Sequence, residues 1–255
     1  MRQRVRKAII LVSLLLFPIT MNYLSPYVPI DGASQGVLAF SLVLFAALFL
    51  SSLVIGRAWC AWLCPAGGLA EACMAVNNRP VNRRRLRVAR YIVWGIWACA
   101  LIAVAISAGG IHRVDLLHLT ENGFSVDEPM KYAMYLMVLG ILTAAFFAIG
   151  RRGMCHAFCW MAPFMEAGNS LSRALGIPHL HIAATPRTCN GCGACSRKCP
   201  MSIDVKAQVP SGAVNTVDCI LCGECVDTCP KKTLRYAVGS VRPAAAAKAP
   251  SSNAR

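Results

Sequence analysis

The stretch IGRAWCAWLCPAGGLAEA, residues 55–72, closes a long apolar run with two cysteines, Cys60 and Cys64, and a proline, Pro65. Nearly the same phrase returns as IGRRGMCHAFCWMAPFMEA, residues 149–167. Ile-Gly-Arg precedes each cysteine pair, with one extra residue in the second copy. Cys155 and Cys159 follow Cys60 and Cys64 at a constant offset of 95, and Glu166-Ala167 follows Glu71-Ala72 at the same offset. Each copy comes after two apolar stretches. The repeat therefore predicts two helical hairpins of like orientation, each ending in a cysteine-bearing elbow.

Four apolar stretches approach the roughly 20 helical residues that a bilayer core requires. They are Ala8–Leu24, Val37–Ile55, Val88–Ala108 and Tyr132–Ile149. The first contains Pro18 and follows MRQRVRK, which resembles the charged start of a secretion signal. No A-x-A cleavage site follows it, so a retained span is expected. A hydrophobic content of 56% with 14 prolines agrees with an integral membrane protein.

The net charge of +15 could suggest nucleic acid, but its distribution points to the membrane. Four Lys and Arg precede the first span, seven lie in Arg57–Arg90 and thirteen follow from Arg151 onward. The loop before the second span has none, and Gly109–Lys131 has only Arg113 and Lys131. By the positive-inside rule both termini and both elbows are cytoplasmic, in a multi-pass protein of the bacterial inner membrane. The run RRRLR, residues 83–87, reads as a lipid anchor rather than a nucleic-acid site.

Fourteen cysteines are present, and only Cys73 and Cys99 stand outside paired or regular groups. CNGCGACSRKCP places Cys189, Cys192, Cys195 and Cys199 in the pattern C-x2-C-x2-C-x3-C-P. CILCGECVDTCP repeats it with Cys219, Cys222, Cys225 and Cys229. This is the spacing of bacterial two-cluster ferredoxins, in which the fourth cysteine ligates the other cluster. Cys189, Cys192, Cys195 and Cys229 are thus assigned to one [4Fe-4S] cluster. Cys219, Cys222, Cys225 and Cys199 are assigned to the second. Gly191, Gly193 and Gly223 let backbone amides approach the sulfurs. Zinc sites favour two C-x2-C pairs and fit this pattern less well.

The fold expected is a membrane α-helical domain, residues 1–180, with four transmembrane helices in two repeated hairpins. Its elbows lie at 60–64 and 155–159. A small α+β bacterial-type 2[4Fe-4S] ferredoxin domain follows at 181–238, then a disordered tail at 239–255.

Paired elbows of the C-x3-C-P type followed by a two-cluster module resemble the NapH/MauN ferredoxin-type membrane proteins. The resemblance covers about residues 1–236. It implies electron transfer at the membrane, with quinol oxidation as the proposed role of the nitrate-reductase members. The second elbow departs from the pattern, because Trp160 stands where the motif has proline. The membrane flavoproteins that regulate nitrous oxide reduction share this core, but no flavin-attachment domain precedes the spans here.

Three readings fit Cys60, Cys64, Cys155 and Cys159: an additional iron–sulfur centre, a redox-active dithiol pair, or thiols that pack the elbow. In a helical elbow, positions i and i+4 share a face, as two ligands would need. Trp59, Trp62 and Trp160 suit interfacial anchors or contacts to a quinone ring. Glu71 and Glu166 suit helix N-terminal charges or proton acceptors. His112, Asp115, His118 and Glu121 suit proton acceptors or ordinary loop residues. No histidine lies within an apolar stretch, so no haem is expected. Cys99 reads as core packing.

The function expected is a membrane iron–sulfur electron-transfer protein that relays electrons between the quinone pool and a partner redox enzyme, as a quinol dehydrogenase-like subunit. The alternative is an accessory maturation or redox-sensing membrane ferredoxin without steady flux. The partners expected are membrane lipid, quinone or quinol, and a redox protein, without nucleic acid. Any catalysis would be redox only, because no nucleophile–base pair or nucleotide loop is present.

Overall fold

The computed structural model describes residues 1–120, 123–126 and 128–240. Glu121, and the expected tail from 241 on, lie outside them.

The first half runs α1 (Arg2–Leu15), α2 (Phe17–Thr20), a 3-10 turn, α3 (Tyr27–Ser34), β1 (Val37–Ala39) and α4 (Phe40–Ile55). The elbow follows as α5 (Ala58–Trp62) and α6 (Pro65–Cys73). The second half runs α7 (Arg83–Ser107), β2 (Arg113–Asp115), α8 (Pro129–Ile149), α9 (Gly153–Ala157) and α10 (Ala162–Ala174). The cysteine-rich module holds β3 (His179–Ala184), α11 (Ala194–Arg197), α12 (Glu224–Thr228) and β4 (Leu234–Gly239). Strands β1 and β2 pair in parallel, and β3 pairs with β4 antiparallel. Strand β3 starts at His179, two residues ahead of the boundary drawn from sequence, and Gly239 closes β4.

Of the four expected spans, two are continuous helices long and apolar enough to cross a bilayer: α7, with 25 residues, and α8, with 21. Almost none of their apolar windows is buried, 6% and 11% respectively. The core helix of a soluble protein would hide these residues, so an apolar solvent must cover them. The chain is a membrane protein. Helix α4 is equally apolar but has 16 residues, because Val37–Ala39 is extended and pairs with β2. The first stretch is broken. Pro18 lacks an amide hydrogen, and its ring would clash with the carbonyl of Leu14 in a continuing helix, so α1 stops at Leu15. Cys99, expected in the core, is exposed on α7 instead.

Both elbows fold back beside their hairpins. Gly56 and Gly150 end α4 and α8 at φ 55° and 108°, a backbone that favours glycine. Helix α6 then runs antiparallel to α1. The Ser13 hydroxyl donates to the Leu63 carbonyl, a Cβ at Gly68 would lie 2.6 Å from the Ile10 carbonyl oxygen, and Glu71 reaches Arg6. Helix α10 lies along α4, with Phe164 stacked on Phe45 at 5.4 Å. The tip of the second elbow is fixed by the Trp160 indole, which donates to the Leu24 carbonyl at 2.9 Å.

One apolar core joins the helices to the module. It runs from Phe17, Phe45 and Leu48 through Cys60, Cys64 and Met165 to Ile182, Met201, Ile220 and Leu221. At Gly168 the α4–α10 contact leaves no room. A Cβ there would collide with the Ser52 hydroxyl and lie 2.5 Å from the Phe49 carbonyl oxygen. Gly168→Ala is expected to destabilise the protein by about 1–3 kcal/mol. A lowered midpoint in thermal unfolding of the detergent-solubilised protein checks this. An unchanged midpoint would mean that the two helices can separate freely.

Candidate metal centre

No disulfide joins any of the fourteen cysteines. In the module they line two cavities. Cys189, Cys192, Cys195 and Cys229 line one. Cys199, Cys219, Cys222 and Cys225 line the other. Each cavity thus takes three thiols from one motif and the fourth from the other. The donor set fits an iron–sulfur cluster, whose core would fill the space among four converging thiolates.

The two motifs share a backbone pattern at an offset of 30 residues. Gly193 and Gly223 both have positive φ, 69° and 76°, and each opens a short helix carrying the third cysteine. Gly191, at φ 73°, has Leu221 as its counterpart at φ 54°. A leucine resists that conformation by about 1–2 kcal/mol. It is held there because its side chain packs in the shared core and its carbonyl accepts from Tyr236 Oη at 2.8 Å and Trp62 Nε1 at 3.4 Å. Trp62, read from sequence as an anchor or a quinone contact, instead ties the first elbow to the second motif.

Burial governs the thiols. It pushes Cys219 up to about 11 and Cys222 up to about 12, against neighbouring amides. Ligand thiols must lose their protons, so metal binding here would release them. Cys229 is held below the usual thiol range. Its partial burial works upward, but hydrogen bonds from Thr233 and its neighbours outweigh that, with the Thr233 amide 3.4 Å from the sulfur.

The four elbow thiols lie within electrostatic reach of one another, although among the described residues no three His, Cys, Asp or Glu side chains are grouped closely enough to hold a single metal ion. Cys64 lies within electrostatic reach of Cys60, Cys155 and Cys159, and is pushed up first by its burial. Burial raises Cys155 to about 12 against the pull of Arg152. Cys64 stands at the N-cap of α6, and the nearby Gly67 amide works against the effect of burial on its thiol. The Ala162 amide acts in the same sense on Cys159.

Around the thiols lies an ion network that sequence reading missed. Arg57 of the first elbow donates to Glu166 of the second half at 2.6 Å. Arg152 of the second elbow donates to Glu71 of the first half at 2.7 Å. Each glutamate also holds an arginine from the first helix of its own half. Arg90 donates to both Glu166 oxygens, at 2.6 and 2.8 Å, and Arg6 donates to both Glu71 oxygens, at 3.0 Å to Oε2. Arg6, Arg57, Arg90 and Arg152 are each 1% exposed or less. The same arginines brace the elbow backbone: Arg152 reaches the Cys60 carbonyl at 2.8 Å and Arg90 the Cys155 carbonyl at 3.1 Å. Burial works to raise the Glu71 pKa, yet Arg6 and Arg152 hold it below the ordinary range.

Two expectations are corrected here. Glu71 and Glu166 do not sit in the first turns of α6 and α10, so they are not N-terminal charges but buried ion-pair partners. Part of the RRRLR run turns inward: Arg83 donates to buried Asp218 at 2.9 Å, and Arg87 also pairs with it. His118 sits in a turn after β2, with its Nε2 2.8 Å from Asp31. A sequence signal for the network did exist, because Arg and Glu recur in both copies of the elbow phrase.

His156, between the second pair of cysteines, is completely buried, and neither ring nitrogen has a partner among the described residues. Burial pushes its imidazole down to about 3, with Arg57, Arg90 and Arg83 acting the same way against Asp218. It is neutral at physiological pH.

Comparison with known proteins agrees with this partition. A family described as a 4Fe-4S binding domain matches residues 37–79 and 130–178, the two elbows and the helices before them. A family described as a 4Fe-4S dicluster domain matches residues 188–234. The chain is 27% identical over 237 residues to the putative electron transport protein YccM of Escherichia coli (strain K12), covering 88% of this chain and 62% of that protein. It is 26% identical to the nitrogen fixation protein FixG of Rhizobium meliloti (strain 1021), covering 71% of this chain and 38% of that protein. To the ferredoxin-type protein NapH of Escherichia coli (strain K12) it is 24% identical, covering 82% of this chain and 73% of that protein. The chain thus spans less than two thirds of the length of YccM and of FixG. No solved structure matches it. The 4Fe-4S binding and dicluster matches and these relatives together support a NapH-like 4Fe-4S ferredoxin family for the chain, at low identity to each relative.

Proposed function

We propose that this protein relays electrons between the quinone pool and a partner redox protein at the cytoplasmic face of a bacterial inner membrane. The observation that carries the reading is the order of the thiols: an exposed outer set, a buried inner set, and the elbow set, with Arg152 between the last two. Cys189 and Cys192 are exposed at the outer cavity, where a soluble partner could approach. Cys225 of the inner cavity lies within electrostatic reach of Cys195 of the outer one. Arg152 lies within reach of both Cys222 in the inner cavity and Cys155 in the elbow.

Cys189, Cys192, Cys195 and Cys229 would hold one [4Fe-4S] cluster, and Cys199, Cys219, Cys222 and Cys225 the other. Bound clusters supply one-electron chemistry at potentials set by nearby charge, hydrogen bonds and exposure. The chain's own residues bury the inner set, place arginines beside it and leave the outer set accessible. Helices α1 and α4 complete two hairpins with α7 and α8, so that four segments cross the bilayer with both termini inside. The Lys and Arg distribution supports that orientation.

The elbow thiols Cys60, Cys64, Cys155 and Cys159 form a further metal or redox centre in this reading. Charge supports it. Six arginines, the buried Arg6, Arg57, Arg90 and Arg152 together with Arg83 and Arg87, face four carboxylates: Glu71, Glu166, Glu224 and Asp218. Neutral thiols leave the excess positive charge uncompensated, whereas metal-bound thiolates would balance it.

Purified protein reduced with a quinol analogue and followed by EPR tests the relay. Cluster signals that develop with quinol are the expected result. Intact clusters that quinol never reduces would sink the quinol part. Iron content tests the elbows. More than about eight irons per chain is expected, with the excess lost in a Cys60→Ala, Cys155→Ala double variant. About eight irons, unchanged in that variant, would remove a metal from the elbows.

A further inference from the structure

A cavity opens where α1, α6 and the cysteine-rich module meet. It encloses about 1170 Å3, its open mouth included. Glu71 lines it with Glu224 and the buried Arg6, Ile10, Leu11 and Met74 supply apolar surface, and the exposed Lys7, Arg197 and Lys198 complete the lining. Pro200, next in the chain to Cys199, lines it as well.

The two halves of the repeat treat their glutamates differently. Glu166 is sealed at 1% exposure, with two arginines and one hydroxyl upon it. The hydroxyl is that of Tyr91, which donates to Oε2 at 2.8 Å while the Arg90 guanidinium lies 5.8 Å from the centre of its ring. Glu71 holds two arginines in the same way but no hydroxyl, and its side chain stays 14% exposed. Tyr91 follows Arg90 in the chain, and Lys7 follows the corresponding Arg6. The half that has the cavity is the half that lacks the phenol.

Tyr91 therefore displays the chemistry that such a carboxylate accepts: an aromatic ring bearing a hydroxyl donor, beside an arginine. A hydroquinone headgroup has that chemistry, and the apolar surface suits its ring and tail. We propose that the α1–α6 cavity binds the headgroup of a quinol, with one hydroxyl donating to Glu71. This assignment rests on the quinol reading above and gives that reading its site. The headgroup would lie beside the chain segment that carries Cys199. The lysines of the lining would also suit an anionic phospholipid, but a lipid phosphate offers Glu71 no ring and no phenolic donor.

The full-length protein in detergent, labelled with a photoreactive azidoquinone and mapped by peptide mass spectrometry, tests the proposal. Saturable labelling within residues 1–15 or 65–78 is expected. Lys7→Tyr, which supplies the phenol of the other half, is expected to weaken labelling at least about tenfold, while cluster absorbance reports that the variant is folded. Labelling confined to other segments, or undiminished in Lys7→Tyr, overturns this site and leaves the quinol reading standing. Absence of saturable labelling anywhere sinks the quinol reading as well. Displacement of the label by anionic phospholipid but not by unlabelled quinol overturns the proposal in favour of a lipid.

Discussion

Replacing Glu166 with alanine is expected to destabilise the protein by about 3–5 kcal/mol, because it strands the buried Arg57 guanidinium and leaves Arg90 only the Asp218 carboxylate, 3.9 Å away. Arg57 and Arg90 both donate to this carboxylate, and neither has exposure through which water could take over. The Nε atoms of both arginines already lack a partner among the described residues. Arg90 also loses its closer anchor while it braces the Cys155 carbonyl, so the second elbow loosens together with the ion pair. Glu71→Ala is expected to cost less, since Glu71 opens to a cavity from which water can reach Arg6. Chemical denaturation of both variants in detergent measures the difference. Equal, small losses would mean that the network is solvated. A triple variant, Arg57→Met, Arg90→Met and Glu166→Leu, separates stability from function. Apolar replacement of a buried ionic triad is often neutral or better, so the triple variant should regain most of the loss. If the arginines compensate a metal-bound thiolate set, it should still lose the iron in excess of the module's own.

What the sequence disclosed was whatever is written in local spacing. The eight module cysteines follow a short pattern whose geometry is nearly self-contained, and the structure gathers them as two crossed quartets. The elbow repeat was equally plain, since whole phrases recur. Its consequence was not, because Arg57 pairs across 109 residues with Glu166 and Arg152 across 81 with Glu71. No local pattern encodes such an exchange; only the twofold placement of the elbows does. Span reading from hydropathy counted apolar residues and so could not register the break at Pro18 or the strand at Val37–Ala39. The same averaging put Cys99 in a core, although a helix bathed in lipid turns apolar residues outward as readily as inward. The inward turn of Arg83 and Arg87 was hidden for a further reason. A cationic run reads as surface until a buried acid such as Asp218, 131 residues from Arg87, is brought beside it.

Cys199→Ala is expected to remove the inner cluster, although Cys199 belongs to the first motif, and Cys229→Ala to remove the outer one. Each loss should be about four irons. The reason is the path of the chain after each third cysteine. Helices α11 and α12 carry the third cysteines, and the chain that leaves each of them brings the fourth cysteine to the lining of the opposite cavity. Single variants cannot tell crossed from uncrossed ligation, because either scheme loses one cluster. Pairs can, since two ligands of one cluster are not additive whereas ligands of separate clusters are. Cys199→Ala combined with Cys222→Ala should lose about four irons, no more than either alone. Cys199→Ala combined with Cys192→Ala should lose about eight. Uncrossed ligation exchanges these two results. The inner loss carries a second consequence. Cys199 is next to Pro200 at the α1–α6 cavity, and Cys222 lies within reach of Arg152 at the elbow. Without the inner cluster, reduction of the outer one by a quinol analogue should slow far more than its reduction by dithionite. A protein in which both reductants act at unchanged rates would place the electron entry at the outer cluster, not at the elbows.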